Sequence, residues 1–376
     1  MRPIKILHCG DMHFDTPFSG LSPKDAEKRK EDLRETFGKI IGLVKEEAVE
    51  LLLISGDLFD SSNITKTTID YILEKLKEVP DVHVFISPGN HDPYTDKSYY
   101  KLIPWPPHVH IFSPTLEKIE IPQKKVWVYG TGFGDHYMPK ALIEDFQIEE
   151  DDHIHIMVIH GDVVAQGQSS DYNPVTENTI RNSGLDYLAL GHQHRHTGIK
   201  KAGKTFWSYP GNPEGRGFDE LGPKGVLIGE VGKDYCNLRF VETCKRKYIE
   251  ERIDISGAFT YEEISGRILQ NIDLEEDHKH LYRIILTGEI HEEFNIHTHV
   301  IQEKLRDKLF WVSVKDETTV KMNEENLERD FSLKGVFVKK MREKIKHCTS
   351  DEERQKLEQA LKIGIYALND REAEIL

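Results

Sequence analysis

Read in order, the chain carries five short polar clusters: Asp11-Met12-His13, Gly56-Asp57, Gly89-Asn90-His91-Asp92, His160-Gly161 and Gly191-His192-Gln193-His194. Their chemistry is that of oxygen donors mixed with imidazoles. Carboxylates bring negative charge to a divalent cation, while imidazoles and an amide oxygen complete its coordination at lower charge. One Asp can bridge two cations. Cations about 3.5–4 Å apart can clamp the attacking and leaving oxygens of an in-line phosphoryl displacement. Any single cluster is also what a turn needs, since Gly, Asn and Asp routinely end strands. Five such clusters in one order point to a shared site.

The elements that must position these residues are legible beside them. Each cluster follows an apolar run: Ile4–Leu7, Leu51–Ile54, Val82–Ile86, Ile154–Ile159 and Tyr187–Leu190. Short apolar runs bounded by Gly and Pro read as buried strands. Leu33, Phe37, Ile40, Ile41 and Val44 recur at helical spacing, as do Ile69, Ile72, Leu73, Leu76 and Val79. Alternating strand and helix predicts an α/β layered core over residues 1–245, with β-sheets flanked by helices. In such sheets ligands gather beyond the carboxyl ends of the strands.

After about residue 245 the pattern changes. The spacing predicts a strand over 246–255, a helix over Tyr261–Ile272, a strand over Leu281–Leu286, a helix over Ile296–Leu309 and a strand over Phe310–Val314. None of these strands ends in a His/Asp cluster, so 246–322 reads as a small α/β capping domain. Residues 323–376 read as a C-terminal helical tail. In it Leu333, Phe337, Met341 and Ile345 keep i, i+4 spacing, Ser350 and Glu353 form a capping box, and Leu357, Leu361, Ile365 and Leu368 continue the stripe.

The 376 residues include 50 Lys plus Arg and 65 Asp plus Glu, a formal net charge of −15. Overall charge therefore cannot hold nucleic acid, and any such contact must be local or rely on cations or a partner. Cys9, Cys236, Cys244 and Cys348 form no Cys-x-x-Cys pair, which argues against a zinc knuckle or a thioredoxin-type motif. Sparse cysteines fit a reducing compartment. The run Ile4–Leu7 is too short for a signal peptide, and no run approaches the ~18 apolar residues of a membrane span. The expectation is a cytoplasmic protein that does not enter a membrane.

The ordered clusters resemble the binuclear calcineurin-like metallophosphoesterase superfamily over roughly residues 4–220. Within it the chain resembles the DNA-repair nuclease branch of SbcD-type proteins. The stretches Ile6–Phe18, Gly56–Asp60 and Tyr209–Glu214 carry that likeness. The resemblance implies that Asp11, His13 and His194 hold one cation, that Asn90, His160 and His192 hold the other, and that Asp57 bridges them. It implies that His91 acts on the phosphate, stabilising charge or protonating the leaving oxygen. It implies two divalent cations, manganese first, with iron or zinc compatible with the same mixed donors. The activity implied is a metal-dependent DNA exonuclease, with or without endonuclease activity. The partners implied are DNA, an SbcC-type coiled-coil ATPase bound through the helical tail, and a second copy of the chain docked near Tyr94, Tyr99, Tyr100, Leu102, Ile103 and Trp105.

Two positions depart from the branch. Asp15 stands where many relatives have Gly. Asp60 stands where archaeal and eukaryotic relatives carry a His that helps place the substrate phosphate. Asp60 and Arg216, the latter in a Gly-rich loop where it could grip a phosphate, are the expected substrate contacts. His8, His136 and His196 read as structural histidines, Asp92 as a turn cap and Cys9 as a small buried hydrophobe. The cations of 334–346 read as complements to a helix C-terminus. The same donors would serve a phosphatase or a cyclic-nucleotide phosphodiesterase, against which the capping domain and tail argue. They would also remain in a non-enzymatic docking protein, against which the intact donor set argues.

Overall fold

The computed structural model describes residues 2–61, 63–276, 278–291, 294–321 and 331–368. The chain divides into two compact units, Met1–Lys247 and Tyr248–Leu376. Among the described residues no helix is long and apolar enough to cross a membrane.

The first unit holds two six-stranded sheets. In the first, the order is β14 (Tyr235–Glu242), β13 (Gly225–Gly232), β1 (Ile4–Cys9), β2 (Leu51–Ile54), β3 (His83–Ile86) and β4 (Val109–Ile111). β1 through β4 run parallel, and β13 lies antiparallel against β1. The second sheet has the order β11 (Lys200–Ala202), β12 (Thr205–Ser208), β10 (Tyr187–Gly191), β7 (Ile154–His160), β6 (Val126–Thr131) and β5 (Glu117–Ile121). Its four inner strands are parallel, with antiparallel strands at both edges.

Alternation along the strands explains the layering. Leu52 and Ile54 enter the core shared with the helices, whereas Leu51 and Leu53 enter the core between the two sheets. Successive side chains point to opposite faces, so a strand covered on both sides is apolar throughout. Two helices cover the outer face of the first sheet. Helix α1 (Pro23–Glu46) is capped by Ser22, which accepts from the Asp25 N–H, and α2 (Lys66–Lys77) by Thr65. The expected apolar stripes are their buried faces: Leu33, Phe37, Ile40, Ile41 and Val44 on α1, Ile72 and Leu76 on α2. A short helix α3 (Tyr99–Leu102), a two-stranded ribbon of β8 (Asp162–Val164) and β9 (Pro174–Thr176), and α4 (Glu177–Ser183) complete this unit.

The second unit carries a parallel sheet of β15 (Tyr248–Asp254), β16 (Leu281–Thr287) and β18 (Trp311–Asp316), with crossover helices α5 (Tyr261–Gln270) and α6 (Thr298–Leu305). A two-stranded ribbon pairs β17 (Glu289–His291) with β19 (Thr319–Lys321). Helix α6 is shorter than the expected 296–309: Ile296 and Leu309 are buried but flank it, because apolar burial alone does not require helical backbone. The tail forms α7 (Leu333–His347) and α8 (Asp351–Leu368), and the part of it over 322–330 and 369–376 lies outside the described residues. Both helices belong to the same compact unit as the small sheet. Lys362 of α8 pairs with Asp316 and donates to Thr318 Oγ1, and the Tyr366 hydroxyl donates to the Phe294 carbonyl at 3.1 Å.

Candidate metal centre

The polar clusters end β1, β2, β3, β7 and β10, so two sheets supply one site. The turns after β1 and β2 are zipped together: the N–H groups of Asp11, His13 and Phe14 donate to the carbonyls of Gly56, Asp57 and Leu58, each at 2.9 Å. Asp11 (φ 54°), His13 (φ 47°), Asp57 (φ 48°) and His192 (φ 110°) all adopt positive φ. That conformation is costly for residues with a Cβ and concentrates where a site over-determines the backbone. Two glycines permit the loops to meet. A Cβ on Gly191 would lie 1.7 Å from the Ser55 carbonyl oxygen, and one on Gly89 would lie 2.2 Å from Asp57 Oδ1.

Two cages result. In the first, donor atoms of Asp11, His13 and His194 lie within 4.8 Å of one another, with His13 Nε2 and His194 Nε2 separated by 3.2 Å. In the second, Asn90 Oδ1 lies 2.9 Å from His160 Nε2 and 3.3 Å from His192 Nδ1. Asp57 stands between them, its Oδ2 3.6 Å from His13 Nε2 and 3.5 Å from His160 Nε2. Its Oδ1 accepts from the His91 N–H at 2.9 Å. Asp11 accepts from the His192 N–H at 3.0 Å through Oδ1.

The hydrogen-bond partners fix which nitrogens face inward. His13 Nδ1 lies 3.1 Å from Asp60 Oδ1, His194 Nδ1 lies 2.7 Å from Glu220 Oε1, and His160 Nδ1 lies 2.9 Å from the Ser55 carbonyl oxygen. Carboxylates and carbonyls only accept, so each Nδ1 carries the hydrogen and each neutral ring presents a bare Nε2 lone pair. Asn90 Oδ1 and His160 Nε2 are then two acceptors in contact with no hydrogen to share. Such groups repel unless a cation lies between them. At metal–donor distances of about 2.1 Å, neighbouring corners of an octahedron are about 3 Å apart, which the separations of 2.9, 3.2 and 3.3 Å match. The residues fit a pair of divalent cations.

Electrostatics agree. Burial opposes ionisation of Asp57, but His160, His13 and His91 together with the His91 N–H hold its carboxyl at about 2. Burial pushes His13 well below its usual range and His192 down to about 4, so both rings are neutral near pH 7. His194 is the exception: burial lowers it, but the hydrogen bond to Glu220 and the charge of Asp11 raise it above its usual value. His194 can therefore carry a proton against His13 Nε2, and a cation entering the first cage would displace it.

Asp60 and Arg216, the expected substrate contacts, meet beside the first cage. Asp60 Oδ1 accepts from His13 Nδ1–H and from Arg216 Nη1, both at 3.1 Å. The physical reason is charge: a carboxylate beside an imidazole N–H and a guanidinium is taken up by both. Glu220 was not visible in the sequence as a site residue. Its Oε1 holds His194, and its Oε2 accepts from Asn212 Nδ2 at 2.6 Å and the Arg216 N–H at 2.7 Å. Burial opposes its ionisation, yet the bond from His194 and the charge of Arg216 keep it at about 2. Carboxylates behind metal-ligating imidazoles fix ring orientation and raise basicity. The loop carrying Arg216 and Glu220 is anchored to α1, where the fully buried Arg29 pairs with Asp32 at 2.7 Å and Glu214 at 2.8 Å and donates to the Gly215 carbonyl at 2.8 Å.

His91 lies outside both cages on the exposed face, with Nδ1 3.0 Å from the Asp60 carbonyl oxygen. Asp92 caps the turn, accepting from the N–H groups of Gly89 and Phe59 and from the Tyr100 hydroxyl, and burial beside Asp57 raises it to about 6. His8 is buried between Tyr187 and Ser55. His136, expected to be structural, is exposed and lies with Nδ1 2.7 Å from the Asn90 carbonyl oxygen.

The calcineurin-like phosphoesterase family matches residues 4–196, just over half the chain. The chain is similar to YhaO of Bacillus subtilis, described as an uncharacterized metallophosphoesterase, at 28% identity over 69% of this chain and 65% of that protein. It is similar to the DNA double-strand break repair protein Mre11 of Methanopyrus kandleri at 23% identity, over 70% of this chain and 62% of that protein. It is similar to the SbcD component of the SbcCD nuclease of Bacillus subtilis at 24% identity, over 60% of this chain and 66% of that protein. The matched stretches thus span 62%, 65% and 66% of these relatives' lengths. With both cages built from the clusters that end its strands, the chain belongs to the calcineurin-like metallophosphoesterase family, hydrolases of phosphoester bonds.

Proposed function

We propose that the chain is a manganese-dependent DNA exonuclease that hydrolyses phosphodiester bonds with two cations, working in DNA repair with an SbcC-type ATPase. The observation that carries the reading is Asp57, whose Oδ2 stands 3.6 and 3.5 Å from one imidazole of each cage and so can bridge them. Cations bound there would supply charge to polarise the phosphodiester and would activate water. The chain's own groups do the rest. Asp11, His13 and His194 bind one cation, and Asn90, His160 and His192 the other. Asp60 and Glu220 orient His13 and His194. His91, fixed by its Nδ1 on the Asp60 carbonyl, has its Nε2 available to a leaving oxygen at the open face.

Two relatives named for DNA-break repair and nuclease function support DNA as substrate. A net charge of −15 predicts weak DNA affinity for this chain alone, falling with salt. The ATPase reading is supported by the start of α7 and the residues just before it, where Phe331, Leu333 and Val336 are 87%, 74% and 43% exposed. A second copy is the weaker reading: Tyr100 is buried and Tyr94, Tyr99 and Trp105 pack on the core, leaving Leu102 exposed. The test is a manganese series on end-labelled duplex and single-stranded DNA beside a chromogenic phosphate monoester. We expect DNA cleavage that falls about 10²–10⁴-fold in His91→Ala and is lost in Asp57→Ala. Turnover of the monoester alone, or nuclease activity that survives both substitutions, would overturn the assignment.

A further inference from the structure

A cleft of about 120 Å³ opens beside His91 and His136. We propose that it seats one ring of the nucleoside carried by the scissile phosphate, its base or its furanose, with Ser98, His136 and Lys97 as the polar contacts. The inference rests on the phosphodiesterase reading and names the substrate unit next to the bond that is cut.

Position comes first. The cleft shares His91 with the metal centre, and Asp92, which caps the turn that holds Asn90, also lines it. A group seated there meets His91, the residue assigned to the leaving oxygen. Size comes second. An apolar cavity of about 150 Å³ takes a benzene ring, and drug-sized ligands need about 300 Å³ or more. The cleft fits one ring, a furanose or a pyrimidine, and not a peptide or lipid chain.

The wall is aromatic and stiff. Phe59 packs against Tyr99 and Tyr100 with ring centroids 5.8 and 5.7 Å apart, and Trp105 stacks behind Tyr100 at 6.0 Å. Both tyrosine hydroxyls are committed elsewhere, Tyr100 to Asp92 at 2.5 Å and Tyr99 to the Ile64 carbonyl at 3.4 Å. Phe59 and Tyr100 are buried and hold Tyr99, the half-buried ring of the wall, as a fixed face of the kind that bases stack on, worth about 1–3 kcal/mol per base where measured by alanine substitution.

The polar side has groups with nothing to bond. Ser98 Oγ is buried and has no hydrogen-bond partner, although the residue stands where it could cap α3. A buried hydroxyl without a partner is costly and calls for one. His136 and His91 are each held by Nδ1 on a carbonyl of a cage loop, Asn90 and Asp60, and neither Nε2 has a partner among the described residues. Lys97 is exposed and has no acidic partner among the described residues, so its ammonium is available to the next phosphate of a polynucleotide. Hydrogen-bonding groups beside an aromatic face suit a nucleoside, and a cation at the rim suits its chain.

The experiment is isothermal titration of the manganese-loaded full chain with thymidine 5′-monophosphate, inorganic phosphate and glycerol 3-phosphate. Wild type is expected to bind thymidine 5′-monophosphate at least tenfold more tightly than inorganic phosphate. Ser98→Leu, which fills the cleft, should abolish that difference while phosphate and manganese binding stay unchanged. Ser98→Thr, which adds one methyl and spares the fold, should reduce it severalfold, as should His136→Ala. Equal affinity for the nucleotide and phosphate in wild type would overturn the proposal, as would an unchanged preference in Ser98→Leu and Ser98→Thr. Glycerol 3-phosphate bound as tightly as the nucleotide would overturn the nucleoside assignment. Because binding is read without turnover, a chain that cuts no DNA yet prefers the nucleotide sinks the nuclease reading alone.

Discussion

Glu220→Gln isolates what the orienting carboxylate contributes. Glu220 accepts from donors on both oxygens: His194 Nδ1 at 2.7 Å on one, and Asn212 Nδ2 at 2.6 Å and the Arg216 N–H at 2.7 Å on the other. A glutamine keeps the shape but must turn its NH₂ toward one of these donors, which leaves a buried donor facing a donor. It also removes the charge that holds His194 Nδ1–H and keeps Nε2 basic. Loss of such a carboxylate costs about 10–100-fold in metal affinity, which is about 1.4–2.7 kcal/mol. The effect should fall on one of two sites, because Glu220 touches His194 and no residue of the second cage. Its carboxyl is held at about 2, below the usual 4.5, so its contribution is complete above pH 4.5 and is lost only as pH falls toward 2. Because the bond to Glu220 also raises His194, whose proton competes with the metal, the ratio of wild-type to variant affinity should grow as pH rises from 5 to 8. Manganese titration, by calorimetry and by the electron-spin signal of free ion, reads both sites. Two sites of wild-type affinity in a folded variant would refute the orienting role. So would equal weakening of both sites.

Three further perturbations follow from the geometry. Gly89→Ala places a Cβ 2.2 Å from Asp57 Oδ1 and 2.6 Å from its backbone nitrogen, so manganese affinity should drop more than tenfold while urea unfolding shifts by only about 1–3 kcal/mol. Lys362→Met leaves the Asp316 carboxylate buried without its cation, which should cost about 3–5 kcal/mol in unfolding of the second unit. Adding Asp316→Asn should recover stability, since an amide oxygen still accepts from the Thr318 N–H; no recovery would show that charge is not the cause. His8 is buried and neutral, lowered by burial from 6.5 to about 3. The unfolded chain takes up a proton below pH 6.5 that the fold refuses, so His8 alone should cost about 2 kcal/mol of stability at pH 5 relative to pH 8. Urea unfolding of the chelated protein at both pH values, against His8→Gln, would show that difference shrink by the same amount.

The donors were legible because chemistry and fold coincide there: each strand ends where its apolar run stops, and the next residues are the ligand types. What lay behind the donors was not. The chain of contacts from His13 to Asp60, Arg216, Glu220 and His194 links residues that no spacing rule relates, and it closes only when the loop carrying Arg216 meets the turn after β2. Glu220 in a Gly-rich loop looks like any surface acid until burial and its donors are known. His136 reads as an isolated histidine until the fold brings it to the Asn90 carbonyl. In the second unit the periodicity located both crossover helices. Ile296 and Leu309 look like ends of one helix, yet they are buried from the turns on either side of α6.

The place of β13 beside β1 bears on how the protein emerges from the ribosome. β1 is made before both of its neighbours and pairs on one side with β2, but its other neighbour is residues Gly225–Gly232. Every donor of both cages has been translated before that neighbour exists, and so has Glu220. Until then the nascent polypeptide offers a bare strand edge beside an apolar surface, the template on which stray chains pair. A premature stop between residues 195 and 224 would release a product with all of its ligands and none of its closure. Its fate should be aggregation or proteolysis, however much metal the cell supplies.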